Sequence, residues 1–131
     1  MIAKMFNTTS IVISLIGGLL CQVLGGWDLL LKALVAMVVL DYLTGVLQAI
    51  YTKTLSSHIG YKGLIRKIVI FVVVAVAVVL EEVIGTELPL REITILFFIS
   101  NEGISLLENA DKITPLPDKL RDVLIQLRER G

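Results

Sequence analysis

Between residues 29 and 50 the chain reads LLLKALVAMVVLDYLTGVLQAI, 22 residues of which two are charged. As a helix rising 1.5 Å per residue this run is about 33 Å long, enough to cross the ~30 Å hydrocarbon layer of a bilayer. Lys32 stands near one end, where its ammonium can snorkel to the headgroups. Asp41 stands near the middle and cannot. Inserting a central Asp costs about 2.5–3.5 kcal/mol, so its helix must turn that face to protein or water. Asp41, Thr44, Gly45, Gln48 and Thr52 share one helical face, a polar stripe with one small residue that permits close approach.

A second stripe lies in residues 93–109, ITILFFISNEGISLLEN. Thr94, Asn101, Glu102, Ser105, Glu108 and Asn109 fall within about one third of the circumference, while Phe97, Ile99, Ile104, Leu106 and Leu107 lie largely outside it. Such a helix needs a partner, a pore or an interface. The two stripes can face each other inside one subunit or face a shared lumen, and the residues alone do not choose.

Two further apolar segments complete the pattern. Residues 8–26 are retained rather than cleaved, because no small-x-small site precedes Trp27. Gly17, Gly18, Gly25 and Gly26 give this segment small faces. Residues 64–84 include an unbroken valine-rich core, with Arg66, Lys67, Glu81 and Glu82 placed to reach the interfaces. The expected fold is an all-α membrane protein in one domain: four short spans at about 8–26, 29–50, 64–84 and 93–109, followed by an amphipathic cytoplasmic helix at about 118–130. That last helix would present Leu120, Val123, Leu124 and Leu127 on one face.

Composition supports the membrane class. A chain of 131 residues with 56% hydrophobic residues and a mean hydropathy of +0.87 carries more apolar mass than a soluble protein this small can bury. Charge sets the orientation. Four crossings put Lys4, the basic loop with Lys53, Lys62, Arg66 and Lys67, and the basic tail on one side, ten of the 12 Lys and Arg residues. Only Lys32 and Arg91 fall opposite, among Asp28, Glu81, Glu82, Glu87 and Glu92. The positive-inside rule then makes both termini cytoplasmic.

Catalytic chemistry has no foothold in this pattern. His58 is alone in a polar stretch, and Gly60 and Gly63 lack the GK[ST] context of a phosphate loop. No catalytic residue, metal set or cofactor is expected. A net charge of zero argues against nucleic acid as a partner. Cys21, the only cysteine, reads as a packing residue.

Three stretches carry a resemblance: DYLTG at 41–45, SSHIGYKGLIRK at 56–67, and NEGISLLEN at 101–109 followed by PLP. In order and spacing, from about residue 27 to 125, they resemble the toxin secretion/phage lysis holins. The resemblance implies a small protein of the bacterial cytoplasmic membrane that accumulates as a homo-oligomer among membrane lipid. It would open lesions at a set time to release an endolysin or a secreted toxin. Matching positions are Asp41, Thr44, Gly45, Gly60, Gly63, Lys67, Asn101, Glu102, Ser105, Glu108 and Asn109. Whether they line a pore or a helix interface is left open by the resemblance. Rival classes are a small four-helix transporter or ion channel, and a membrane scaffold subunit. An aromatic content of 6%, with no cage around a carboxylate, weighs against the transporter.

Overall fold

A computed structural model describes residues 2–85 and 87–130, excepting the side chains of residues 2, 3, 5, 6, 124 and 127–130. It contains five helices and, among the described residues, no strand: α1 (Ile2–Val23), α2 (Leu29–Tyr51), α3 (Ser57–Ile84), α4 (Leu90–Ile113) and α5 (Asp118–Arg130).

Local chemistry sets where each helix stops and starts. At the end of α1, Gly26 N–H donates to Cys21 O and Gly25 N–H to Gln22 O, with Gly25 at φ +89°, the bonding pattern of a Schellman cap. Asp28 caps α2 by accepting from Leu31 N–H at 2.9 Å. The same C-terminal pattern closes α2, where Thr54 N–H donates to Ala49 O and Lys53 N–H to Ile50 O. Lys53 occupies the left-handed position there, at φ +57°. Ser56 starts α3 by accepting from Ile59 N–H, and Gly85, at φ +63°, ends it.

These caps correct the expected boundaries. α1 begins at Ile2 and ends at Val23 rather than covering 8–26. The basic stretch before residue 68 is not a loop beyond residue 56, because the Ser56 cap lets α3 begin at Ser57, so Lys62, Arg66 and Lys67 are helical. α4 outruns the apolar segment 93–109 at both ends.

The main seam runs between α2 and α4, α3 leans on α4, and α2 and α3 touch little. Leu34 and Val38 of α2, Ile70 and Val74 of α3, and Ile95 of α4 form the core, with Leu24, Leu30, Phe71, Phe98 and Ile99 against it. α5 is tied to α4 by the ion pair of Arg121 and Asp111 at 2.8 Å. On α5, Leu120 is half-buried and Val123 exposed, while the side chains of Leu124 and Leu127 lie outside the described residues.

α2 and α3 are long and apolar enough to cross a membrane, and only 22% of the most apolar window of each is buried within the chain. The core helix of a soluble protein would be mostly enclosed. Val72, Val76 and Val79 instead turn outward along α3, as a lipid-facing surface does. α1 carries a shorter apolar stretch, Asn7–Val23, and it is exposed nearly all round, with Ile13 pointing away from Leu15 and Leu19. A methyl group placed on Gly17 or Gly18 would meet nothing within 4 Å, so the close approach these glycines permit is not used among the described residues.

Candidate functional site

Three helices each contribute one charged side chain to a single cluster. Lys67 of α3 donates from Nζ to Oδ2 of Asp41 on α2 at 2.6 Å and to Oε2 of Glu102 on α4 at 2.8 Å. Asn109 of α4 adds an amide: its Nδ2 donates to Asp41 Oδ1 at 3.0 Å, to Asp41 O at 3.2 Å and to Thr44 Oγ1 at 3.3 Å. Asp41 and Glu102 keep 6% and 8% of their surface exposed.

Helical periodicity explains the meeting. Glu102, Ser105 and Asn109 recur at i, i+3 and i+7 on one face of α4, and Asp41 heads the matching face of α2. Because α2 and α4 pack along their length, these faces are apposed. Two carboxylates in an apolar bundle need a counter-charge, since burying an ion is tolerated only when it is paired and hydrogen-bonded. Lys67 supplies it. Lys67, expected at the border of the basic loop and the 64–84 segment with its ammonium reaching the interface, stands within α3 and turns its ammonium inward instead, tying α3 to α2 where little else does. The clue lay in the sequence, because two membrane carboxylates must either be protonated or find a cation.

A crevice of about 430 Å³ opens from this cluster between α2, α3 and α4. Gln48, Ser105 and Arg66 line it along with the cluster itself. The other expected site residues are dispersed. Asn101 is exposed, Glu108 is half-buried outside the crevice lining, and Lys62 is exposed on α3. Thr44 turns its hydroxyl back to Leu40 O and Asp41 O. A Cβ on Gly45 would sit 3.5 Å from Asn109 Nδ2, an ordinary contact, so this packing does not demand glycine there.

A second cluster, at the opposite end of α2 and α4, centres on Arg91 and was not anticipated as a site. Arg91 donates from Nε to Leu24 O at 2.6 Å, from Nη2 to Gly26 O at 3.0 Å, and in a fork to both carboxylate oxygens of Asp28 at 2.8 and 3.1 Å. Its backbone N–H donates to Glu81 Oε1 at 3.0 Å, so α3 caps the first turn of α4 with a carboxylate. A Cβ on Gly25 would collide with the Arg91 guanidinium at Nε. The hydrogen bonds from Arg91, then that from Leu31 N–H, hold the Asp28 carboxyl down at about 2. The sequence signal was a lone arginine on an acidic side.

Among the described residues no group of three or more His, Cys, Asp and Glu side chains is placed to hold a metal ion. The chemistry both clusters offer is electrostatic fastening of helices. Residues 18–129, from the end of α1 through α5, match the bacteriophage holin family. The chain belongs to that family. Relatives of this holin-family protein include a 14.9 kDa protein in the nagH 3' region of Clostridium perfringens, 41% identical over 88% of this chain and 89% of its own length. The Listeria monocytogenes protein Lmo0128 is 36% identical over 83% of this chain and 79% of its own length. A probable holin of Bacillus phage phi105 is 35% identical over 63% of this chain and 62% of its own length. No solved structure matches.

Proposed function

We propose that this protein is a working holin of a bacterial cytoplasmic membrane, crossing four times with both termini inside. In this reading it accumulates as a homo-oligomer and opens lesions that release an endolysin, or in related systems a toxin. The observation that carries the reading is the family match over residues 18–129, joined by a phage relative named as a probable holin. The placement of ten of 12 basic residues on one side supports the orientation.

The geometry supports a resting state. Asp41, Lys67 and Glu102 satisfy one another inside one chain, so the isolated subunit shows the lipid mainly apolar faces. Opening then consists of helices separating at this cluster, so that its polar groups face water in an assembly. α1, with its open glycines and little contact with the other helices, has the most surface left for a second copy. The test is expression in a bacterium with and without an endolysin. Abrupt lysis only with the enzyme is the expected result; substrate-specific flux without lysis would identify a transporter, and neither outcome a scaffold. Replacing Asp41 or Glu102 with Leu should shift lysis time or oligomer size. Unchanged timing and size in both variants would remove the cluster from the mechanism.

A further inference from the structure

We propose that the crevice between α2, α3 and α4 is a water-filled vestibule, open on the side of the tail helix and closed at its inner end by the Asp41–Lys67–Glu102 cluster. The inference rests on the membrane-crossing reading above and places the permeability barrier of the resting subunit within it.

The polar groups are distributed unevenly along the bundle. Gln48, Ser105, Asn109 and the three cluster residues line one part of a crevice of about 430 Å³ that reaches Thr54, in the α2–α3 connection, and Val46, Ala49, Leu55 and Ile59 give the rest of its wall an apolar character. At ~30 Å³ per molecule this volume holds on the order of ten waters, and amide, hydroxyl and carboxylate groups on its walls can each offer such waters a partner. Asp41, Lys67, Glu102 and Asn109 already bond one another, but their remaining lone pairs and the side chains of Gln48 and Ser105 favour water over an apolar occupant. On the far side of the cluster the lining changes character. Leu34, Val38, Ile70, Val74 and Ile95 pack into a core in which Leu34, Val74 and Ile95 have no exposed surface. Water thus has a path as far as Lys67 and none past Val74. The resting barrier is the apolar outer half of the bundle, with the ion-paired cluster as its inner face.

Cysteine accessibility tests this directly. In a full-length Cys21→Ser background, Gln48→Cys and Ser105→Cys probe the vestibule, Leu34→Cys the apolar core, Val72→Cys the lipid-facing surface, and Lys119→Cys the side on which the tail lies. Each is exposed to a charged, membrane-impermeant methanethiosulfonate reagent in inverted and in right-side-out vesicles. The expected result is labelling at positions 48 and 105 at least tenfold faster than at 72, only in the orientation that also labels 119, with 34 unlabelled in both. Labelling at 48 and 105 no faster than at 72, or equally from both sides, would overturn the vestibule. A label at 119 only in right-side-out vesicles would overturn the cytoplasmic placement of the tail instead; the vestibule would stand if 48 and 105 followed it. Circular dichroism of each variant identifies any that fails to fold, and Gly45→Cys, also in the lining, then replaces it with the same two outcomes.

Discussion

The two charged clusters sit at different points on the same helices and are built from different materials. Around Arg91, two of the acceptors are backbone carbonyls of the α1–α2 connection, a third is the carboxylate that caps α2, and the arginine's own N–H is held by Glu81. A planar fork with little freedom to rearrange locks the α1–α2 connection to the start of α4, and the backbone bond to Glu81 adds the end of α3. Around Lys67, the partners are two carboxylates on separate helices, and the cation is a point charge on a flexible stem. No backbone donor or acceptor fixes the ammonium. One cluster pins connections, whereas the other bridges helices that can part. In the lesion-opening reading proposed above, the first end would stay together while the second rearranges.

Removing the cation of the bridging cluster should have the largest effect. Lys67→Met leaves Asp41 and Glu102 buried without a counter-charge, and breaking a buried pair in this way costs about 3–5 kcal/mol. In detergent the melting transition followed by circular dichroism should fall steeply. Most of it should return in the triple variant with Asp41→Asn and Glu102→Gln, because no uncompensated charge then remains. A Lys67→Met protein as stable as the parent would mean that the cluster is not held by charge.

Arg91→Ala should rank second, at about 2–3 kcal/mol, since it deletes several charge-assisted bonds but frees a carboxylate that water can reach. Asp28 is 48% exposed, whereas both partners of Lys67 are nearly enclosed. Arg91→Lys should recover less than half, because an ammonium cannot serve two carbonyls and a carboxylate fork at once. Full recovery by lysine would make this cluster as adaptable as the other and dissolve the contrast.

The clusters also differed in how legible they were. Asp41 and Glu102 announce themselves as carboxylates in apolar helices, and helical periodicity alone puts Glu102, Ser105 and Asn109 on one face. The structure brings that face and the Asp41 face together within one chain. The inward turn of Lys67 was less legible: Lys62 and Arg66 beside it make the stretch read as basic and interfacial until the Ser56 cap is known to start a helix. Arg91 was less visible still. Its acceptors are carbonyls of Leu24 and Gly26, and no side-chain pattern reports where a backbone oxygen points. Asn101 shows the converse, a polar residue of the stripe that the fold leaves exposed.

Acidification should act on the pinning cluster through Asp28. Asp28 has its carboxyl held at about 2 against an ordinary value of 3.8, so the stabilisation it provides is present above about pH 4 and lost as pH falls towards 2. Because the group is half-exposed, the effect is smaller than removal of Arg91. Trp27, the only tryptophan, neighbours Asp28 and reports the change by fluorescence. Asp28→Asn should abolish the part of the transition between pH 4 and 2 that the parent shows, and an identical titration in both proteins would assign it to other carboxylates.

The smallest expected effect separates the resting subunit from the assembly. Gly45 lies inside α2, where glycine costs about 0.5–1 kcal/mol relative to alanine. The added methyl would meet Asn109 Nδ2 at 3.5 Å, without collision. Gly45→Ala should therefore leave the melting transition unchanged or raise it slightly. Lysis time in the presence of endolysin is the second reading to take on the same variant. If timing shifts while stability does not fall, the glycine is needed where helices approach in another arrangement, and the bridging cluster is at a surface that changes partners. If neither moves, the α2 face beside Asp41 keeps its resting neighbours throughout, and opening must proceed elsewhere on the molecule.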